Sequence, residues 1–328
     1  MRARHVALAV GLAAVWGFNF VVMDAGLRHY PPLMYAALRF LLAAFPAVLF
    51  AGGPRTPWRW VLATGATLGV AQYGLLLLGM HAGMPPGLAS LVIQVQAIFT
   101  AAFAVPLLGE RLGTRRVYGT ALAFGGLALL TVELTGGVPL GAFLLCLGAA
   151  AAWGLGNVVM RKAAPPDSLR FMIWVSAVSS VPLLVLAVLV EGPSSLGVFS
   201  VEGVAAVLYT AIISTLGGFG VWGLLLARYD ASVVAPYALL VPIFGLSSAA
   251  LFTGEPISPV TVAAGVLIVA GLLYAGRRPA RPSRAAGSPA GAGYLRTLVV
   301  RARARRAASR PDSVLVPPSA EPSDRPIP

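Results

Sequence analysis

Arg39 is the residue best placed to do chemistry in this sequence. It stands inside an apolar run, between Leu38 and Phe40. A guanidinium offers planar, paired donors that match a carboxylate. The functional reading is a clamp for the carboxylate of a bound solute. The structural reading is an arginine that snorkels to the nearer interface or pairs with Asp24. Uncharged polar side chains lie deeper in other apolar runs: Asn19, Gln72, Gln94, Gln96 and Asn157. An amide in hydrocarbon must find a partner, so these either line a polar pathway or bond neighbouring helices. Gln94 and Gln96 stand two apart and cannot share one helix face. Trp16 and Trp153 fall in mid-run and can wall a cavity or simply pack. The candidate substrate contacts are therefore Arg39, Asn19, Trp16, Gln94, Trp153 and Asn157.

Nothing else assembles into a catalytic or metal-binding set. The histidines are His5, His29 and His81, well separated, and Cys146 is the one cysteine, within an apolar run. No disulfide, metal site or cofactor is expected, and no enzyme. The acids of the first 276 residues (Asp24, Glu110, Glu133, Asp167, Glu191, Glu202, Asp230, Glu255) all fall near the ends of apolar runs. A carboxylate deep in the bilayer would mark an ion path, and none is seen, so proton coupling is not expected.

The elements that must position these residues follow from composition. The chain has 328 residues, 58% hydrophobic and 11% charged, with a mean hydropathy of +0.84. So few charges cannot cover a water-facing surface, which excludes a soluble α/β enzyme, a disordered chain and a disulfide scaffold. A helical span needs about 20 apolar residues. Spans are predicted at 5–24, 34–51, 61–80, 86–107, 116–134, 139–160, 171–190, 203–226, 233–253 and 259–276, separated by turn signals such as Pro31-Pro32, Pro85-Pro86 and Gly136-Gly137. The first is read as a spanning helix and not a cleaved leader. No alternation suited to a β-barrel recurs.

Orientation follows from the short loops. With the N-terminus cytoplasmic, the outer loops hold only Arg28. The inner segments hold Arg2, Arg4, Arg55, Arg59, Arg111, Arg115, Arg116, Arg161, Lys162, Arg170 and Arg228, besides the tail. Both termini are thus expected in the cytoplasm of a multi-pass plasma-membrane protein. Residues 277–328 hold eleven arginines against Asp312, Glu321 and Asp324, which accounts for most of the net charge of +13. This Arg-, Pro-, Ala- and Ser-rich tail is expected to be disordered, to lie near anionic lipid through Tyr294 to Ala307, and not to bind nucleic acid.

The sequence also repeats itself. Trp16-Gly17-Phe18-Asn19-Phe20-Val21-Val22-Met23 returns as Trp153-Gly154-Leu155-Gly156-Asn157-Val158-Val159-Met160. Pro46 returns as Pro182, Gly109-Glu110 as Gly254-Glu255, and Gly119 and Gly125 as Gly265 and Gly271. Five spans per half force the halves to enter the bilayer from opposite sides. The expected fold is all-α and integral to the membrane: ten transmembrane helices as two inverted five-helix repeats, 1–134 and 135–276, with a basic tail at 277–328. Inverted repeats mark secondary transporters, in which a solute site between the halves opens to each face in turn. An old duplication that fixed a stable bundle is the plainer alternative.

Trp16-Gly17-Phe18-Asn19-Phe20, Pro31-Pro32-Leu33-Met34, Leu38-Arg39-Phe40 and Gly109-Glu110-Arg111 resemble the EamA family of the drug/metabolite transporter superfamily over residues 5–276. The stretch Gly83 to Val92, with Gln94, Gln96 and Phe99, and the runs Arg39 to Pro46 and Val234 to Pro242, are similar to its exporters of O-acetylserine and cysteine. The resemblance implies two five-helix bundles and outward movement of small metabolites, often amino acids or their derivatives, with no cofactor. The bilayer and a small-molecule substrate are the expected partners. A broad drug exporter, or a membrane enzyme on lipid-linked substrates, would be the rival functions.

Three structural expectations complete the reading. Glu110 and Glu255 should accept from the free N–H groups of the helices that follow them. Gly217, Gly218, Gly220 and Gly223 should let the eighth span approach a neighbour. Pro46, Pro182, Pro236 and Pro242 should kink their spans or act as hinges.

Overall fold

The computed structural model describes residues 1–276, apart from Pro46, 111–112, 133–136, 198–199, Ala227 and Asp230. The tail 277–328 lies outside the described residues, as do the readings attached to Pro46, Arg111, Glu133 and Asp230. Every regular element among the described residues is helical. Eight helices are long and apolar enough to cross a membrane. They are α1 (Ala3–Leu27), α2 (Pro32–Ala51), α3 (Trp58–His81), α4 (Pro86–Leu108), α6 (Leu140–Ala163), α7 (Ser168–Val190), α8 (Val201–Leu225) and a rod covering Pro236–Thr253. That rod is broken, so its parts are labelled α9 (Ala231–Ala238) and α10 (Val241–Thr253). Two apolar helices are shorter, α5 (Thr114–Leu130) and α11 (Pro259–Gly276).

Local chemistry explains the ends. Pro32 and Pro86 open α2 and α4, where a missing N–H costs nothing. Asp167 accepts from the Arg170 N–H at 3.0 Å to start α7, and Ser200 accepts from the Gly203 N–H at 3.3 Å to start α8. Gly109 and Gly254 close α4 and α10 in the left-handed region, at φ +67° and +70°.

The packing pairs equivalent elements. Gly17 in α1 is pressed on Phe244 and Gly245, and a Cβ there would meet the Phe244 Cβ at 2.6 Å. Gly154 in α6 is pressed on Phe99 and Thr100, where a Cβ would meet the Phe99 Cβ at 2.5 Å. Gly154 and Phe244 stand 137 and 145 residues after Gly17 and Phe99, so one contact is made twice. α2 and α7 run antiparallel: Trp174 near the start of α7 donates to the Gly52 carbonyl at 2.8 Å, while Glu191 just past its end reaches Leu33 and Met34. α5 and α11 also run antiparallel. Gly119 meets Gly271 and Ala275 at one end, and Gly126 meets Ala264 and Ile268 at the other. These small residues bring the backbones together as membrane helix pairs require.

Several expectations change here. Gly126, not Gly125, makes the close approach, and of Gly217, Gly218, Gly220 and Gly223 it is Gly218 that is crowded, by the Trp16 indole at 2.6 Å; Gly220 and Gly223 face open space. Pro182 and Pro236 lie inside helices, but Pro242 opens α10. The predicted span 233–253 is therefore two helices and not one kinked rod. Glu255 does not cap the helix that follows it. Its carboxylate accepts from the Gly87 N–H at 2.8 Å and the Leu88 N–H at 3.2 Å, across to the start of α4. Glu191 does the same for α2, from Leu33 at 2.6 Å and Met34 at 3.0 Å. Glu110 is ion-paired with Arg161.

Candidate functional site

A π-helical segment interrupts α3 at Gly65–Ala71 and another interrupts α8 at Tyr209–Gly217. Such segments widen the helix by one residue per turn and often mark functional sites. In α8 the widened turn lets the Thr215 hydroxyl donate to the Thr210 carbonyl five residues back, at 2.7 Å. With its proton spent there, Thr215 Oγ1 accepts from Arg39 Nη2 at 2.9 Å. Tyr35, one turn before Arg39 on α2, donates to the Ala206 carbonyl at 3.3 Å, which fixes the α2 face against α8.

Arg39 is the largest fully buried side chain, 1% exposed. Its guanidinium lies 3.8 Å from the centre of the Tyr73 ring and 5.4 Å from that of Phe40. Nη1 stands 3.7 Å from the Met23 sulfur. Nε has no partner. No carboxylate among the described residues pairs with Arg39: Asp24, the partner weighed from sequence, is bonded to Arg28 at 3.0 Å. A cation–π contact offsets part of the cost of burying this charge. It leaves the donors short of acceptors. The position 136 residues on, in step with Pro46 and Pro182, is Val175, fully buried and apolar.

The face of α1 that carries Met23 runs along the same π segment. Trp16 Nε1 donates to the Ser214 carbonyl at 3.0 Å, and its ring packs on Phe219 and Trp222. Asn19 falls between Trp16 and Met23 on that face. It is 5% exposed, and its Oδ1 has no partner. Trp16, Asn19 and Met23 thus share one face of α1, and Met23 reaches Arg39.

The other candidates go elsewhere. Gln94 Nε2 donates to the Ala238 carbonyl at 3.3 Å. Pro242 has no N–H to give that carbonyl, so Gln94 supplies the donor that the broken rod lacks. Asn157 Nδ2 donates to Gln96 Oε1 at 2.8 Å and Thr100 Oγ1 at 3.1 Å, which ties α6 to α4. Trp153 is half-buried and packs against the core. Sequence reasoning missed Thr215 and Met23. Both look like ordinary members of apolar runs, and a π turn leaves no pattern in the residues.

The two capping glutamates share one end of the bundle. Glu255 is half-buried there. Burial pushes its carboxyl above the ordinary value, the Gly87 and Leu88 N–H groups oppose this, and the nearby Asp24 adds to it. Among the described residues no group of three His, Cys, Asp or Glu side chains is placed to hold a metal.

The sequence matches the EamA-like transporter family over residues 4–132 and again over 140–277. It is 40% identical to a protein of Salmonella typhimurium named "Probable amino-acid metabolite efflux pump", across 81% of this chain and 92% of that one. A protein of the same name from Escherichia coli K12 is 39% identical, across 83% and 94%. The "Probable terminal-alkyne amino-acid exporter" of Streptantibioticus cattleyicolor is 26% identical, across 84% and 94%. A crystal structure at 21% identity superimposes with a TM-score of 0.60, covering 85% of this chain and 100% of that one. It bears on the fold alone.

Proposed function

The chain belongs to the EamA-like transporter family, and on that premise we propose that it exports amino-acid derivatives across the membrane by alternating access, with Arg39 holding the cargo's carboxylate. It is a multi-pass membrane protein and an exporter of amino-acid derivatives, as its relatives' names indicate. In our reading ten helices cross the bilayer, α9 and α10 counting as one, in inverted halves at 1–134 and 135–276. The doubled contacts of Gly17 with Phe244 and Gly154 with Phe99 support that reading, as do the antiparallel pairs α2–α7 and α5–α11. In the same reading, which the distribution of arginine in the loops supports, both termini are cytoplasmic. The end that carries Glu191 and Glu255 then faces outward.

One observation carries the site: a guanidinium 1% exposed, with an unpartnered Nε and no carboxylate beside it among the described residues. A small amino-acid derivative such as cysteine or O-acetylserine supplies that carboxylate. No metal or cofactor takes part. The cluster is sealed in this conformation, so loading requires α1, α2 and α8 to part. The π segments of α3 and α8 are where such motion costs least.

The test uses purified protein in liposomes, with labelled cysteine and O-acetylserine and an unrelated cationic dye, with and without a pH gradient. Wild type moves the two amino acids and not the dye, gradient or no gradient. Arg39→Lys keeps the charge but lowers the rate by about 10-fold, because a point charge loses the paired geometry. Full transport by Arg39→Ala at matched reconstitution removes Arg39 from the site.

A further inference from the structure

Resting on the reading of Arg39 as the carboxylate site, we propose that Asn19 reads the cargo's α-ammonium group, so that the protein selects free zwitterionic amino acids over their N-acylated forms. Of the candidate amides Asn19, Gln94 and Asn157, only Asn19 has a buried oxygen without a partner. Gln94 and Asn157 are committed to helix contacts at 3.3 Å and 2.8 Å. A buried carbonyl oxygen without a donor is unfavourable, and an incoming N–H group relieves it.

Met23 links Asn19 to Arg39. Asn19 and Met23 stand four residues apart on α1, one turn, or about 6 Å along the helix axis. The Met23 sulfur is 3.7 Å from Arg39 Nη1. The proposal seats the cargo's carboxylate on the guanidinium and its ammonium on Asn19 Oδ1, along the face of α1 that Asn19 shares with Met23. Charge points the same way. Arg39 repels a plain cation, and the neutral acceptor one turn away does not attract a plain anion more strongly. The pair is complementary to both charges together. Trp16 contributes no donor, since its Nε1 is held by the Ser214 carbonyl at 3.0 Å. Its ring bounds the site on the side away from Met23.

Two isomers make the test. O-acetyl-L-serine and N-acetyl-L-serine have the same formula and the same carboxylate, and only the first has a free amine. Initial rates are measured with the full chain in liposomes, at mildly acidic pH where the acyl group stays in place. Wild type should favour the O-acetyl isomer by about 10-fold, the ratio that one well-placed hydrogen bond to a charged group supplies. Asn19→Ala should bring the ratio close to one through loss of O-acetylserine transport, and Asn19→Asp should keep the preference. A second measurement needs no variant. Inhibition of wild-type transport by serine, N-methylserine and N,N,N-trimethylserine should persist for the first two and vanish for the third, which keeps the charge but has no N–H. Equal wild-type rates for the isomers, a preference that survives Asn19→Ala, or inhibition by the trimethyl compound overturns the role of Asn19 and leaves the exporter intact. Transport of neither isomer by wild type overturns the amino-acid exporter and this inference with it.

Discussion

Arg161 at the end of α6 is ion-paired with Glu110 just past the end of α4. The residue 137 positions before Arg161 is Asp24, and the residue 145 positions after Glu110 is Glu255. The same pair of sites therefore holds opposite charges at one end of the bundle and two acids at the other, where Asp24 bears on Glu255. In our reading the paired end is cytoplasmic. In that reading the bond holds that face closed and breaks for cargo to enter.

Charge reversal tests this latch. Arg161→Glu and Glu110→Arg should each change the initial efflux rate by about 3-fold or more, in the same direction. The exchange of both residues should restore most of the wild-type rate, a coupling read from a double-mutant cycle. Additive effects would mean that the pair does not act as a unit.

Glu255 makes stability depend on pH. Its folded-state value is raised above the ordinary 4.5, so the native protein binds more protons than the unfolded chain between 4.5 and that raised value. Stability then falls as pH rises through this window and is flat above it. Thermal unfolding in detergent should show this slope in wild type and lose it in Glu255→Gln. Above this window that variant should be about 1 kcal/mol less stable than wild type, because one amide oxygen replaces two carboxylate oxygens facing Gly87 and Leu88, and the gap should widen as pH falls.

Gly17→Ala and Gly154→Ala should destabilise the protein by about 1–3 kcal/mol each, since the new methyl would meet backbone as well as side chain: the Gly245 nitrogen at 2.7 Å and the Thr100 nitrogen at 2.8 Å. Gly220→Ala and Gly223→Ala, with nothing within 4 Å, should be neutral to within about 1 kcal/mol. Melting temperatures of the four variants separate the two outcomes.

Pro242 and Gln94 should be coupled. In wild type Gln94→Leu leaves the Ala238 carbonyl without its donor, at a cost of about 1–2 kcal/mol. Pro242→Ala gives that carbonyl a backbone N–H of its own, so Gln94→Leu should cost markedly less in that background. An equal loss in both backgrounds would show that Gln94 does something else.

The apolar runs and their proline and glycine boundaries were legible in the sequence because hydrophobic length and turn chemistry are local. The doubled Trp-Gly motif was legible because Gly17 and Gly154 have no room for a side chain. Arg39 stood out because a charge in hydrocarbon is conspicuous. Thr215 did not, because its role depends on a π turn that shifts its hydroxyl onto Thr210, and helix register is set by tertiary packing. Glu191 and Glu255 were visible as acids at helix ends. Which N-termini they cap depends on which helices lie side by side, and that was not legible.

Where one half of the duplication carries Arg39, the other carries Val175. The ancestral two-fold is thus broken at its most charged point, and a cargo gripped there has a head and a tail. In our reading it travels in a single attitude, acid end toward the outer leaflet. On that reading, intolerance of any change to the cargo's common backbone follows from that one unmatched pair.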